Sequence, residues 1–401
     1  MIRLPRMLVL VVSHAVLVQI ITYAMRPTLS YAVLDAGASP AILGIISAAF
    51  AFPGLLLALP AGRALDRFGE RFLLVLGPLS LIGAALLAVI ADSSIVLLIL
   101  ATALLGMGHL LSLIGQQAMV ANTTRSGRFD SVFGMYTFGA SLGQTLGPLL
   151  LILPGGSATT PPLQLIFLVC GGISVVMLLL SAFMRSSVRE RLESAPGMLR
   201  TAAVLIRTPG LPQSLIATSI VMSSLDIFLA YMPALGHERG LSAAAVSTML
   251  VARSMFSMLS RLFLGRMVRA FGRRKLLVWT IALAAVTLGS VALPVPVIWL
   301  VVLSAAYGFV IGTCQPITMS WVSELAPPGT RGLAMSMRLA SNRFGQTVLP
   351  ATVGILAATT GAAGVLVSTG ALLVGAAWSS SAVPNAADPG ETDDSLDPDA
   401  N

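Results

Sequence analysis

Charge is scarce in this 401-residue chain. Only 10% of its residues are Asp, Glu, Lys or Arg, and Lys275 is the one lysine. Soluble domains carry about 25% charged residues, so a water-facing surface of this size could not be covered, and a soluble enzyme or binding module is excluded. Cysteine is nearly absent: Cys170 and Cys314 lie inside apolar runs without metal-ligand spacing, which excludes a disulfide framework and a thiolate metal site. Among the three histidines, His237 precedes Glu238 but lacks the second histidine of a zinc-protease helix. No phosphate-binding loop occurs. The formal charge is +8, but the basic residues stand in short loops with no interleaved aromatic patch, so nucleic acid is excluded as a partner. No cofactor or metal is expected.

What the chain has in abundance is apolar sequence: 56% of residues, with a mean hydropathy of +0.91. A bilayer core needs about 20 apolar residues per helix. That ruler gives twelve spans, at 7–34, 41–61, 73–91, 95–119, 131–153, 163–184, 211–235, 242–265, 276–293, 297–321, 332–357 and 361–378. The stretch from Met7 is too long for a signal-peptide core and is read as the first span. Turn signals interrupt the pattern at Ser39-Pro40, Pro154-Gly155-Gly156, Pro294 to Pro296 and Pro327-Pro328-Gly329. Trp279, Trp299, Trp321 and Trp378 fall near span ends, as interface anchors should.

The loops are asymmetric. Of the 24 Lys and Arg residues, the N-terminus and even-numbered connections hold 18, the odd-numbered connections hold only Arg239, and five arginines lie within spans (18 + 1 + 5 = 24). Positive loops stay cytoplasmic, which predicts a multi-pass protein of the cell membrane with both termini inside. The arginine-rich segment 185–210 divides the chain. The expected organisation is an all-α membrane protein: a six-helix bundle over 1–184, a cytoplasmic linker over 185–210, a second bundle over 211–378 and a disordered acidic tail over 379–401.

The two halves repeat one another. Gly62-Arg63-Ala64-Leu65-Asp66-Arg67-Phe68-Gly69-Glu70-Arg71 returns as Gly265-Arg266-Met267-Val268-Arg269-Ala270-Phe271-Gly272-Arg273-Arg274, and Gly143-Gln144-Thr145-Leu146-Gly147-Pro148 returns as Gly345-Gln346-Thr347-Val348-Leu349-Pro350. A membrane chain that repeats at half its length is built from two related bundles, an architecture that moves solutes.

These residues resemble the major facilitator superfamily over positions 7 to 378. Gly62, Asp66, Arg67, Gly69 and Arg71 match that family's hallmark between spans two and three, while the second copy keeps Gly265, Gly272 and Arg274 and carries Arg269 in place of the acid. The resemblance implies a twelve-span secondary carrier working by alternating access. On physical grounds, glycines at helix ends permit close approach or a left-handed cap, and an acid at a helix terminus meets a dipole or an arginine. The phrase is read as a conformational latch. In span five, Gly139, Gly143 and Gly147 recur every four positions and Pro148 follows. Such a ladder is a groove for close helix packing with a kink at its end. It resembles the family's antiporter motif, which implies export, and departs from it at Leu151 and Ile152. The alternative is tight packing between the halves. Gly139-Ala140-Ser141-Leu142-Gly143 spells a nucleophile elbow, but inside a span it lacks the strand-to-helix turn that motif needs.

An ionisable residue within a span is a functional hypothesis by default. Arg26 in span one and Asp226 in span seven occupy equivalent helices at similar depth, and are expected to pair across the central cavity. Arg253, Arg338 and Arg343 add to the positive charge, although Arg338, nearest the cytoplasm, is expected to bond helix-end carbonyls rather than face the cavity; Arg261 lies nearer a span end and is expected to snorkel. Arginine does not titrate in proteins but holds carboxylates through parallel hydrogen bonds, so the surplus points to a small anionic solute. Asp226 is the first candidate to carry a coupled proton. Asn342, Gln116 and Gln315 join Arg26, Asp226, Arg253 and Arg343 as the expected substrate and proton pathway; His14 and His109 are read as helix-packing residues. The partners implied are the solute, protons and the bilayer, with the chain as a monomer. Proton-coupled efflux of an acidic or amphiphilic metabolite satisfies both the motif and the arginines; the alternative is proton-coupled uptake of an organic anion.

Overall fold

The computed structural model describes residues 6–123, 129–155, 158–186, 207, 210–325 and 331–381. Most of the expected linker and nearly all of the expected tail lie outside the described residues. Among the described residues twelve helical segments follow one another: α1 (Arg6–Asp35), α2 (Ile42–Phe68), α3 (Glu70–Ile90), α4 (Ile95–Thr123), α5 (Phe129–Leu146), α6 (Leu163–Ala182), α7 (Leu211–Glu238), α8 (Ala243–Phe271), α9 (Arg273–Val291), α10 (Val297–Leu325), and α11 and α12 within Arg331–Ser381. The last stretch is divided at Gly361, whose φ of 63° and ψ of −170° lie outside the helical region and leave α11 over 331–360 and α12 over 362–381.

Several boundaries differ from the apolar runs. The repeated phrase is helical rather than a loop. Gly62 to Phe68 are the last turns of α2, and the whole connection to α3 is Gly69, at φ 81°. Gly272, at φ 72°, joins α8 to α9 in the same way. In both copies the glycine N–H bonds a carbonyl four residues back, Leu65 or Val268, at 2.9 Å. Hydropathy ends where charge begins, but an α-helix continues until a residue with positive φ stops it. Likewise α12 runs to Ser381, three residues into the expected tail, where Arg274 donates to the Ser381 carbonyl. At the end of α5 the proline does not simply kink the helix: residues Gly147–Ile152 tighten into a 3-10 turn.

Alternate helix ends define two faces, here called terminal (where α1 begins and α12 ends) and distal. The halves touch through α1 with α7, α2 with α7 and α11, and α5 and its 3-10 turn with α8. On the distal side one core joins both halves, with Ile21, Met25, Leu43 and Phe50 meeting Phe228, Tyr231 and Leu235. Toward the terminal face the core divides. Val11, Leu74 and Tyr136 form one cluster and Ala61, Leu65 and Leu111 another, both within the first half. Leu211, Val322 and Ala334 form a third within the second half. Among the described residues, the bundles therefore share a core distally and part toward the terminal face.

Helices α3, α6, α9 and α12 carry large exposed apolar side chains such as Leu86, Leu168, Trp279 and Trp378, the last two 72% and 80% exposed. Water would not tolerate such a belt; hydrocarbon solvates it, and the chain is a multi-pass integral membrane protein.

Candidate functional site

The glycine ladder of α5 positions α1. A Cβ on Gly143 would stand 2.3 Å from the Val16 carbonyl oxygen, and one on Gly147 2.8 Å from that of Ile20. The ladder's glycines thus pack within their own half, not between halves. The opposite half meets α5 both within the ladder, at Ser141, and just beyond it, where Ser247 of α8 donates to the Pro148 carbonyl at 2.7 Å. Seating α1 this closely carries Arg26 to the junction with α7.

There Arg26 Nη1 donates to Asp226 Oδ1 at 2.6 Å, with the two side chains 7% and 8% exposed. The guanidinium lies over the Phe50 ring of α2, 4.3 Å from its centroid, a favourable cation–π geometry. Arg26 Nη2 and Asp226 Oδ2 make no hydrogen bond. Arg343 approaches from α11: its stem crosses α2 at Gly54, where a Cβ would stand 2.8 Å from Cδ, and Nη1 donates to Gln346 Oε1 at 3.4 Å. Arg343 interacts electrostatically with both Asp226 and Arg26. His109 of α4 interacts with both arginines, stands 3.4 Å from the Gln19 amide and has its ring 5.5 Å from that of Phe50.

Arg253 extends the positive region on the α8 side. Its guanidinium is 5.6 Å from the Tyr23 ring and 6.0 Å from that of Phe228, and Nη2 donates to Ser254 at 2.7 Å. Phe228 in turn stacks on Tyr307, whose hydroxyl pairs with Ser224 at 2.8 Å. Arg261 does not snorkel. Its Nη1 turns across to Ser141 of α5 at 3.0 Å, spending on the opposite half the hydrogen bond that a surface would have taken.

The expected pathway residues do not all gather. Arg26, Asp226 and Arg343 form the cluster, with Arg253 alongside. Asn342 is buried on α11 with Oδ1 unpartnered. Gln116 belongs to another network, deep in the first half: it bonds His14 Nδ1 at 2.6 Å and accepts from the Tyr136 hydroxyl at 3.1 Å, while His14 Nε2 meets Ser181 at 3.1 Å. Gln315 is half-buried on α10, its carbonyl accepting from Thr318 at 3.0 Å. Sequence reasoning missed Phe50, Gly54 and Gln346. Gln346 alone carried a signal, as the middle of the second Gly-Gln-Thr phrase.

Of the latch residues, a Cβ on Gly62 would meet nothing within 4 Å, so close approach does not require that glycine. Arg67 lies 5.1 Å from the Phe68 ring, Arg71 donates its backbone N–H to Ser186 at 3.2 Å, and the side chain of Asp66 lies outside the described residues.

Chemically, one carboxylate, bonded to a single guanidinium, stands near further arginines in a buried junction between two bundles that part toward one face. This defines a membrane carrier with an internal charged site, not an enzyme. The sequence pattern of the Major Facilitator Superfamily matches the chain twice, over residues 12–213 and 214–395, and the chain belongs to that family. Solved structures share the fold. The nucleoside transporter NupG matches at 13% identity over 94% of this chain and 98% of its own, with a TM-score of 0.76. A D-xylose–proton symporter matches at 16%, 94% and 97%, with a TM-score of 0.75. A peptide transporter POT in complex with sulfate matches at 15%, 93% and 93%, with a TM-score of 0.72. No curated protein sequence matches the chain.

Proposed function

We propose that this transporter carries out proton-coupled export of a small acidic or amphiphilic solute. The observation that carries the reading is the Arg26–Asp226 pair at the junction of the halves, with Arg343 in electrostatic reach of both. The substrate's acid group takes the place of Asp226 on Arg26 and is held also by Arg343, with Arg253 adding positive potential. Asp226, released, takes up the proton. Because a buried charge that loses its partner is costly, anion binding to Arg26 and protonation of Asp226 favour one another; the pair couples solute to proton, and exchange is suggested by the α5 motif rather than by this pair. The charge asymmetry of the loops supports cytoplasmic termini in the cell membrane, and with that orientation the parting of the bundles toward the terminal face supports the reading of an inward-facing state. The Gly62–Arg71 phrase acts as the latch of the outward-facing state, and the carrier works as a monomer of two bundles, 1–184 and 211–378, joined by 185–210.

Proton-coupled uptake of an organic anion uses the same residues and is favoured by the arginine surplus, which does not itself set direction. Proteoliposomes loaded with radiolabelled benzoate test the scheme. Under an imposed pH gradient the wild type moves benzoate, and Asp226→Asn abolishes that flux while sparing benzoate–benzoate exchange. Gradient-driven flux through Asp226→Asn at the wild-type rate would refute the coupling role, and the sign of gradient that drives efflux decides between exchange and symport.

A further inference from the structure

We infer that Arg338 and Asn342 form a second anion subsite on the terminal side of the central cluster. This rests on the reading of the chain as an acid carrier but uses different residues. Arg338 is only 2% exposed, yet its Nε and Nη1, on opposite edges of the guanidinium, make no hydrogen bond. No carboxylate among the described residues pairs with it; the ion pair found there is Arg26–Asp226. The other intramembrane arginines each donate to a side chain: Arg26 to Asp226, Arg253 to Ser254, Arg261 to Ser141 and Arg343 to Gln346. An enclosed guanidinium without a counter-charge is strongly unfavourable, and a bound anion satisfies it.

Asn342 stands one turn further along the same face, 6% exposed, with Oδ1 also unpartnered. Its neighbours on α11 are committed elsewhere. Ser341 bonds Ser219 Oγ at 2.7 Å on α7, and Arg343 crosses α2 at Gly54. The face between those two contacts therefore carries a guanidinium that needs an anion and a carbonyl that needs a donor. A carboxylate flanked by a donor meets both. A hydroxyl fits better than an ammonium, because a cation would be repelled by the unpaired Arg338. The ligand class is a small α-hydroxy acid. Arg338 precedes Arg343 by five residues, about 7.5 Å along the helix axis, on the side where the bundles part, so the subsite receives solute before the central cluster does.

Calorimetric titration of the purified full-length protein with lactate and with propionate, which lacks the hydroxyl, tests this. Wild type should bind lactate at two classes of site. Arg338→Gln should lose one class, Arg338→Lys should retain it more weakly, and Arg343→Gln should lose the other. Asn342→Leu should remove a lactate-over-propionate preference of about five- to tenfold, the worth of one hydrogen bond. Without ligand, Arg338→Gln should melt no lower than wild type, since it removes an unpaired buried charge. A lowered melting temperature, or both classes of site retained in Arg338→Gln, would overturn the subsite. Loss of binding confined to Arg343→Gln would overturn it while leaving the central site standing.

Discussion

Tyr31 and Tyr231 are counterparts, each five residues beyond a member of the central ion pair (31 − 26 and 231 − 226), and each closes the distal seam over a glycine. The Tyr31 hydroxyl lies 3.7 Å from where a Cβ on Gly236 of α7 would stand, and the Tyr231 hydroxyl 2.9 Å from that of Gly354 on α11, which itself packs on Gly44 of α2. A methyl group at Gly354 would meet both Tyr231 and the Gly44 backbone. Gly354→Ala should destabilise this state by about 1–3 kcal/mol, as overpacking does, and shift the carrier toward its distal-open form. Thiol labelling of single cysteines placed on the distal ends of α1 and α7 should rise; unchanged labelling would contradict the seam.

Removing one partner of the buried pair should cost more than removing both. Asp226→Asn strands the Arg26 charge and should lower stability by about 3–5 kcal/mol. The double variant Arg26→Gln with Asp226→Asn should lose distinctly less. Thermal unfolding of the four proteins in a double-mutant cycle checks this, and strictly additive losses would mean that the residues are not coupled.

The repeat makes a packing prediction of its own. A Cβ on Gly106 of α4 would stand 1.9 Å from the Phe50 carbonyl oxygen, and one on Gly308 of α10 2.1 Å from that of Arg253. The same helix crossing is thus built twice, and each crossing places a residue of the central site. Gly106→Ala and Gly308→Ala should each destabilise by about 1–3 kcal/mol and impair transport. Gly172→Ala and Gly289→Ala, in open space, should be neutral or stabilise by up to about 1 kcal/mol.

Consecutive residues at the end of α7 cap two other helices. Glu238 accepts from the Ala362 N–H at the start of α12 at 2.8 Å, and Arg239 donates to the carbonyls of Val291, Ala292 and Leu293 at the end of α9. Both charges complement the helix dipoles they meet. Glu238→Ala should cost about 0.5–2 kcal/mol and speed hydrogen exchange at Ala362, with exchange in α5 unaffected.

Much of this architecture was legible because hydrocarbon imposes strict rules. Span length gave the helices, but the break between α11 and α12 falls at Gly361, the first residue of the twelfth expected span. The requirement that a buried charge find a counter-charge paired Arg26 with Asp226. Helix ends were less legible, since the charged phrase after residue 61 ends the apolar run but not α2. Gly54 and Phe50 carried no signal, because each acts only by standing where another helix crosses. Arg261 was misread for a related reason: its reach to Ser141 depends on how near α5 lies, which spacing along α8 does not encode.

Acid recognition by the guanidinium groups at this junction is open to direct test. Binding to the folded state raises its apparent stability, so the direct measurement is thermal stabilisation of the purified protein by benzoate and citrate and by tetraphenylphosphonium, repeated on Arg26→Gln and Arg343→Gln. An organic anion should stabilise the wild type and lose that effect in both variants. Stabilisation by tetraphenylphosphonium alone, indifferent to the substitutions, would contradict it and make the arginines structural.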